Sequence, residues 1–290
     1  MNQKAYICYF EAKKNCNTIF NATQRKAYQE TASCFTFVRS TKTKPAAYYL
    51  CIKMHFMPAA LYLIPTPLGP DSMHTIPPYV VEHIHALRYF VVERARTARR
   101  FIKATHPPYA IQELHIEELN EHTPPAQVAS LLTPLRQGHG VGLLSEAGCP
   151  AIADPGAQLV RLAQAEGLSV VPLVGPNAIL LALMGSGFNG QQFCFHGYLP
   201  RTQRQLVRQL RRLEQQVHRM GTTQIFIETP YRNHSLFKTL ITMLSPHTAL
   251  CIACDLTLPT QWIYTRTIAQ WRTRPPADFH KRPAVFLLGQ

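Results

Sequence analysis

Short apolar runs alternate with amphipathic stretches along most of this chain. Leu-Tyr-Leu-Ile at 61–64, Tyr-Phe-Val-Val at 89–92 and Val-Gly-Leu-Leu at 141–144 have no charged residue. Runs of this length read as strands buried on both faces. They predict strands over 61–69, 88–93 and 141–144, and two more are expected at 111–119 and 169–175. Between them lie candidate helices at 78–87, 94–104, 125–137 and 157–166; the third carries Val128, Leu131, Leu132 and Leu135 at helical spacing. Strands alternating with roughly ten-residue helices predict a mostly parallel, five-stranded sheet covered on both faces.

From residue 176 the rhythm changes. An apolar helix at 177–184 is followed by strands at 193–200, 222–230, 249–257, 262–268 and 283–289, with helices at 202–220 and 234–244. Some of these strands succeed one another without a full helix, which predicts a mixed sheet. The fold class is therefore α/β, arranged as two α/β domains over 57–175 and 176–290.

Residues 1–56 do not fit the pattern. They contain no Asp, no Gly and a single Pro, and no helical or strand period persists in them. They lack the apolar core and cleavage site of a signal peptide. We expect an unrelated, poorly ordered extension, translated from a start codon upstream of Met57.

The formal net charge is +14 over 290 residues. Residues 1–56 hold nine Lys/Arg against two acids, so about half of that excess belongs to the remaining chain. A charge of this size suggests a polyanionic partner such as nucleic acid. No apolar run approaches the roughly 18 residues of a membrane span. Of the eight cysteines, Cys251 and Cys254 form a C-x-x-C inside an apolar run, without a second pair at zinc spacing. They read as buried strand thiols rather than a metal or redox site. Free thiols point to a cytoplasmic protein.

Candidate chemistry lies where strands end. Several strands run into polar or Gly/Pro loops, and in a parallel sheet such ends share one edge, where ligands bind. The stretch Ser145 to Gly156, Ser-Glu-Ala-Gly-Cys-Pro-Ala-Ile-Ala-Asp-Pro-Gly, carries the strongest signal. It passes from an apolar run through small residues to a helix start, with Asp154 as expected N-cap and Pro155 at the first helical position. The first strand instead ends with Pro65 and Pro67 where a dinucleotide fold would place glycines. A phosphate-binding loop, a nucleophile elbow and a histidine metal cluster are also missing. A cleft lined by small residues, prolines and a few acids suits a zwitterionic or cationic ligand held largely by backbone groups.

These segments carry a resemblance. LYLIPTPLG, AGCPAIADPG, VVPLVGPNA, GYLP and IETPYRN occur in the order and spacing of the ribosomal RNA small subunit methyltransferase I family, one of the tetrapyrrole-methylase-like (class III) methyltransferases. The resemblance covers roughly residues 60–290. It implies a homodimer of two-domain chains that binds S-adenosylmethionine in the cleft between domains and 2′-O-methylates a ribose in small-subunit ribosomal RNA, without a metal. Pro67 and Gly69 match the first cofactor loop, and Ser145, Glu146, Ala147, Gly148 and Asp154 the second. Gly175, Pro176 and Asn177 match the third, and Glu228 and Thr229 a later loop facing the cleft.

The chain departs from the family at three strand ends. Glu93-Arg94-Ala95-Arg96-Thr97 stands for an acidic pair followed by Thr-Arg, and Ser145-Glu146-Ala147-Gly148-Cys149-Pro150 for Ser-Asp-Ala-Gly-Thr-Pro. Cys254-Asp255-Leu256-Thr257-Leu258 stands for Arg-Glu-Leu-Thr-Lys, losing a basic residue at each end. Methyl transfer to a hydroxyl is an in-line displacement helped by a general base. Strand-end position makes Glu93 and Glu121 the candidates, with Glu146 and Asp154 behind them. His196, among apolar residues, reads as a satisfied core group.

The 202–220 helix is amphipathic in an instructive way. Arg201, Arg204, Arg208, Arg211 and Arg212 share one face, opposite a Leu206, Leu210, Leu213, Val217 stripe. Arg96 and Arg100 belong to a second cluster. Unpaired cations of this kind suit RNA phosphates. The alternatives are a methylase of a tetrapyrrole or other small molecule, and a catalytically idle cofactor-binding relative that associates with RNA.

Overall fold

Alternation along the strands explains the first layer. The computed structural model describes residues 58–276 and 278–290; the 1–56 extension, with Cys8, Cys16, Cys34 and Cys51, lies outside them. Strands β1 (Leu61–Ile64), β2 (Tyr89–Val92), β3 (His115–Glu118), β4 (Val141–Leu144) and β5 (Val170–Pro172) pair in the order β3-β2-β4-β1-β5, every pair parallel. Leu61, Val91, Val141 and Leu143 point to one face, where they meet Leu132, Leu135, Leu159 and Ala163. Tyr62, Ile64, Phe90 and Val92 point to the other, against Val80, Ile84, Ala98 and Ile102. Helices α1 (Pro78–Ala86) and α2 (Ala95–Ala104) cover that second face. Helices α3 (Pro125–Ser130), α4 (Thr133–Arg136) and α5 (Gly156–Ala165) cover the first. Both faces are buried, as the uninterrupted apolar runs require.

The second layer is a mixed sheet in the order β6-β7-β10-β8-β9. Its strands are β6 (Phe193–Tyr198), β7 (Thr223–Ile227), β8 (Ala249–Cys254), β9 (Trp262–Thr267) and β10 (Ala284–Gly289). Only β6 and β7 run parallel; the other neighbours are antiparallel. Helices α7 (Gln203–Met220), α8 (Asn233–Met243) and α9 (Ile268–Thr273) bury Leu210, Leu240 and Trp271 on one face. Helix α6 (Ala178–Ser186) covers the other with Ala182 and Leu183. The predicted stripe of α7 is its buried side, with Leu206, Leu210, Leu213 and Val217 all at 4 % exposure or less.

Three elements differ from the sequence expectation. The 125–137 helix is two short helices, because Pro134 cannot donate a backbone hydrogen bond to the preceding turn. The 111–119 strand is a 3-10 turn, Ile111–Glu113, followed by a four-residue edge strand whose His115, Glu117 and Glu118 face solvent. Such polar edges discourage pairing with other chains. Helix α9 was not expected, although Thr267 and Gln270 form a capping box that announces it.

Cys251 and Cys254 are both buried, and burial pushes each thiol up to about 11. They stand three apart on β8, so their side chains enter opposite cores and cannot share a ligand. Among the described residues no helix is long and apolar enough to cross a membrane.

Candidate active site

The two sheets present their chemistry at one place. The ends of β2 and β4 in the first sheet, the carboxyl ends of β6, β7 and β8, and the amino end of β10 line a cleft of about 360 Å³. Its first wall is built on Ser145–Cys149. An isolated antiparallel bridge ties this loop to the end of β1: Thr66 N–H donates to Gly148 O at 2.9 Å, and Gly148 N–H to Thr66 O at 3.0 Å. The Ser145 hydroxyl donates to Gly148 O at 3.0 Å. The Cys149 Sγ lies 3.5 Å from Pro176 O, linking this loop to the next.

Backbone conformation sets the loop apart. Gly148 has φ of +79°, and Ala151 and Ala153, which are not glycines, have +65° and +63°. Residues held in the left-handed region concentrate at functional sites. Asp154 fixes this path: its carboxylate accepts from Ala151 N–H at 2.9 Å and Gly156 N–H at 2.8 Å. The expected cap is displaced by one residue: Pro155 stands at the N-cap and Gly156 opens α5, so Asp154 precedes the helix and braces the loop from Ala151 to Gly156 instead of capping it.

Three carboxylates gather in the cleft, Glu93, Glu146 and Asp154. Glu93 Oε2 accepts from Glu146 N–H at 3.3 Å, and the Glu146 carboxylate accepts from the Thr97 hydroxyl on α2. Burial raises the Glu93 pKa above the ordinary carboxylate value, and the negative charges of Glu146 and Asp154 add to the effect. Burial also raises Asp154, against the pull of its backbone hydrogen bonds. Carboxylates crowded in this way favour a cationic ligand.

A pH dependence follows. A carboxylate whose folded pKa lies above its unfolded value stabilises the fold when protonated, and that stability is lost as pH rises through the folded pKa. Glu93→Gln is therefore expected to raise the melting temperature of the ligand-free protein at neutral pH by a few degrees. The gap should close below about pH 4, near the unfolded carboxylate value. A gap that widens on acidification would refute the assignment.

The second sheet contributes Glu228, Asp255 and apolar side chains. Glu228 is buried, accepts from Thr229 N–H at 2.8 Å, and lies 3.4 Å from Arg232. Asp255 is also buried, with φ of +49°; Arg282 donates to its Oδ2 at 2.7 Å and Thr260 at 2.6 Å. No basic residue flanks Asp255 in sequence, and its ionic partner comes from 27 positions away.

Of the residues singled out in the sequence, the cleft is lined by Glu93, Ser145, Glu146, Ala147, Gly148, Asp154, Asn177 and Glu228. Asn177 caps α6, accepting from Ile179 and Leu180 N–H. Pro67, Gly69, Gly175, Pro176 and Thr229 are not among the residues that line the cleft. Gly69 backs onto Leu258, and a Cβ at Gly175 would come within 2.2 Å of Pro65. Glu121 is not brought to the cleft: it sits on an exposed turn with His122 at 3.5 Å, because β3 ends at the sheet edge. His196 bonds Gln224 at 2.7 Å on the neighbouring strand. Arg96, Arg100, Arg201, Arg204, Arg208 and Arg211 are all exposed and make no ion pair with a described residue. Sequence reasoning missed Cys149, Tyr198 and Arg282; the last has no local pattern that reveals it.

A family profile described as Tetrapyrrole (Corrin/Porphyrin) Methylases matches residues 60–271. The chain belongs to this methylase family. It is therefore a methyltransferase, and the resemblance read from its motifs holds. The Escherichia coli O157:H7 protein named ribosomal RNA small subunit methyltransferase I is 27 % identical over 232 residues, covering 79 % of this chain and 76 % of its own. The Bacillus subtilis protein of the same name is 34 % identical over 172 residues, 59 % of this chain and 55 % of its own. Among solved structures, the methyltransferase CobJ superposes with a TM-score of 0.53 at 18 % identity, covering 80 % of this chain and 94 % of that one. The cobalt precorrin-4 methyltransferase CbiF gives 0.51 at 14 %, covering 80 % and 95 %. These structures share the α/β, two-sheet architecture of this family member.

Proposed function

We propose that this chain transfers a methyl group from S-adenosylmethionine to a ribose 2′-hydroxyl of small-subunit ribosomal RNA. The observation that carries the reading is an acidic cleft opening beside a cationic surface. Tyr198 at the end of β6 lines the cleft, and Arg201 follows three residues later at the start of the arginine face of α7. Relatives bearing the ribosomal RNA methyltransferase name over three quarters of the chain support the same substrate.

The cleft suits such a donor. Its volume falls in the range of small-molecule sites, and its acids match a ligand carrying an ammonium and a sulfonium. The Ser145–Gly148 backbone, Glu146, Asp154 and Asn177 would hold it, with Pro67, Gly69, Gly175, Pro176 and Thr229 supporting the wall and Glu228 closing the far side. When bound, the cofactor supplies an electrophilic methyl group. The chain's own residues align the acceptor, exclude water and receive the hydroxyl proton. Of the two candidate bases, Glu93 is the one at the cleft, and its raised pKa brings it closer to that task. Exposed arginines of α7, with Arg96 and Arg100 of α2, would hold the RNA backbone. Of these two helices only α7 carries an internal acid, and Glu214 accepts from Ser245 N–H at 2.7 Å. The free thiols agree with a cytoplasmic location.

The test is transfer of labelled methyl from S-adenosylmethionine to purified small ribosomal subunits, followed by alkaline hydrolysis. A 2′-O-methyl ribose blocks the neighbouring hydroxyl, so the label should remain in an alkali-resistant dinucleotide. Label released as mononucleotide would place the methyl on a base. No transfer, in protein that binds S-adenosylmethionine, would defeat the RNA reading.

The implied dimer has a candidate surface. Helix α6 is apolar on every side, and the side away from the sheet leaves Leu180 at 48 % and Met184 at 79 % exposure, with Val174 before it at 70 %. We propose that a second copy covers this patch. Light scattering should give twice the chain mass, and Leu180→Asp with Met184→Asp should give a folded monomer. A wild-type monomer at micromolar concentration would reject it.

A further inference from the structure

We infer that Tyr231 and Tyr198 form a stacking platform for an unpaired nucleobase at the rim of the cleft, so that the acceptor nucleotide enters out of any helix. This deepens the RNA reading above and rests on it. Both rings are mostly solvent-exposed, Tyr231 at 71 % and Tyr198 at 60 %. The topology puts them on one edge. Strands β6 and β7 are parallel neighbours, Tyr198 pairs with Ile227, and Tyr231 follows Ile227 by four residues. Tyr198, Ile227, Glu228 and Pro230 all line the cleft, so Tyr198 stands in its wall and Tyr231 directly follows a lining residue on the same sheet edge.

The surroundings of Tyr231 are built rather than loose. Lys281 has φ of +61°, a conformation that lysine rarely adopts. It is held there by its N–H donating to Pro230 O at 3.1 Å, which sets its ammonium 5.8 Å from the centre of the Tyr231 ring. The segment carrying Lys281 is pinned on both sides. Asn233 Nδ2 donates to Arg282 O at 2.7 Å, and Asp278 Oδ1 takes hydrogen bonds from His234 and from His280 N–H, each at 2.9 Å. Nearby acids are engaged, Asp278 by these groups and Glu228 by Arg232. Tyr231 thus offers an exposed aromatic ring with the Lys281 ammonium beside it.

Aromatic faces flanked by cations are how proteins hold single-stranded nucleic acid, since every base has a π-face and every linkage a phosphate. A duplex cannot offer those faces without extruding a base. The platform would hold the base while its own ribose reaches the cleft.

The experiment uses a single-stranded oligoribonucleotide containing 2-aminopurine, whose fluorescence is quenched on stacking, together with methyl transfer to small ribosomal subunits. Wild-type protein should quench the probe and bind the same sequence as a duplex at least ten-fold more weakly. Tyr231→Ala and Tyr198→Ala should each weaken probe binding roughly ten-fold. In methyl transfer, Tyr231→Ala should raise KM for subunits by a similar factor with little change in kcat, while Tyr231→Phe, which keeps the ring, stays near wild type. Lys281→Ala should weaken binding less and reduce its salt dependence. Unchanged binding in Tyr231→Ala, equal binding of duplex and single strand, or a Tyr231→Phe loss matching the alanine would overturn the platform alone. Wild-type protein that neither binds the probe nor methylates subunits would overturn the RNA reading beneath it.

Discussion

Gly148→Leu is expected to fold and to bind S-adenosylmethionine at least a hundred-fold more weakly than wild type in a calorimetric titration. Gly148 sits at φ of +79°, where a residue with a Cβ costs about 1–2 kcal/mol. Its N–H and carbonyl are both engaged by Thr66, so the backbone cannot swing away. An added Cβ would meet Leu68 Cδ2 at 3.1 Å and Pro176 O at 3.3 Å, and the rest of a leucine would enter the cleft. Gly138→Leu is the control. It has φ of +89° and open space around it, so it bears the backbone cost without touching the site. Binding by Gly148→Leu within three-fold of wild type would remove this loop from the cofactor site.

Arg282→Ala is expected to lower the melting temperature by about 6–12 °C, corresponding to roughly 3 kcal/mol in a protein of this size. Asp255 is buried and its ionic partner is Arg282, whose guanidinium also donates to Thr260 O at 2.7 Å and Asp278 O at 3.2 Å. Removing the cation leaves a buried carboxylate with hydroxyl and thiol neighbours, Thr260 and Cys254, but no cation to answer it. The double variant Asp255→Asn, Arg282→Met should recover most of the loss, because burying the pair costs nearly as much as it returns. A melting temperature within 2 °C of wild type for Arg282→Ala would show the pair to be dispensable. Since Asp255 lines the cleft, the single variant should weaken cofactor binding as well.

Much of the architecture was legible because the local and global requirements agree. Val141–Leu144 reads as a strand from composition alone, and is one, since a central parallel strand needs apolar side chains on both faces. The arginine and leucine faces of α7 were legible for the same reason: the helical period and the burial pattern coincide. Where a single residue decides, the longer pattern misleads. Pro134 splits a helix that the spacing of Leu131, Leu132 and Leu135 would continue, and all three still reach the same core. The candidate site was half legible. Ser145–Gly148 and Asp154 belong to one continuous segment, so their spacing carries information. Glu93 and Glu121 both follow strands, yet β2 ends beside the cleft and β3 at the sheet edge, and strand order is not written in local sequence. The Arg282–Asp255 pair joins two loops across 27 residues and has no local signature at all.

The placement of the acids has a consequence for how the protein meets a partner. Glu93, Glu146, Asp154, Glu228 and Asp255 all line the cleft, and Glu214 is spent on Ser245 N–H inside the second layer. The arginines of α2 and α7 stay outside. The local potential over those arginine faces is therefore more positive than the formula charge, an average over the whole chain, conveys. Encounter with a polyanion should be accelerated at low ionic strength, and should slow as added salt shortens the reach of that field to about 10 Å at 0.1 M.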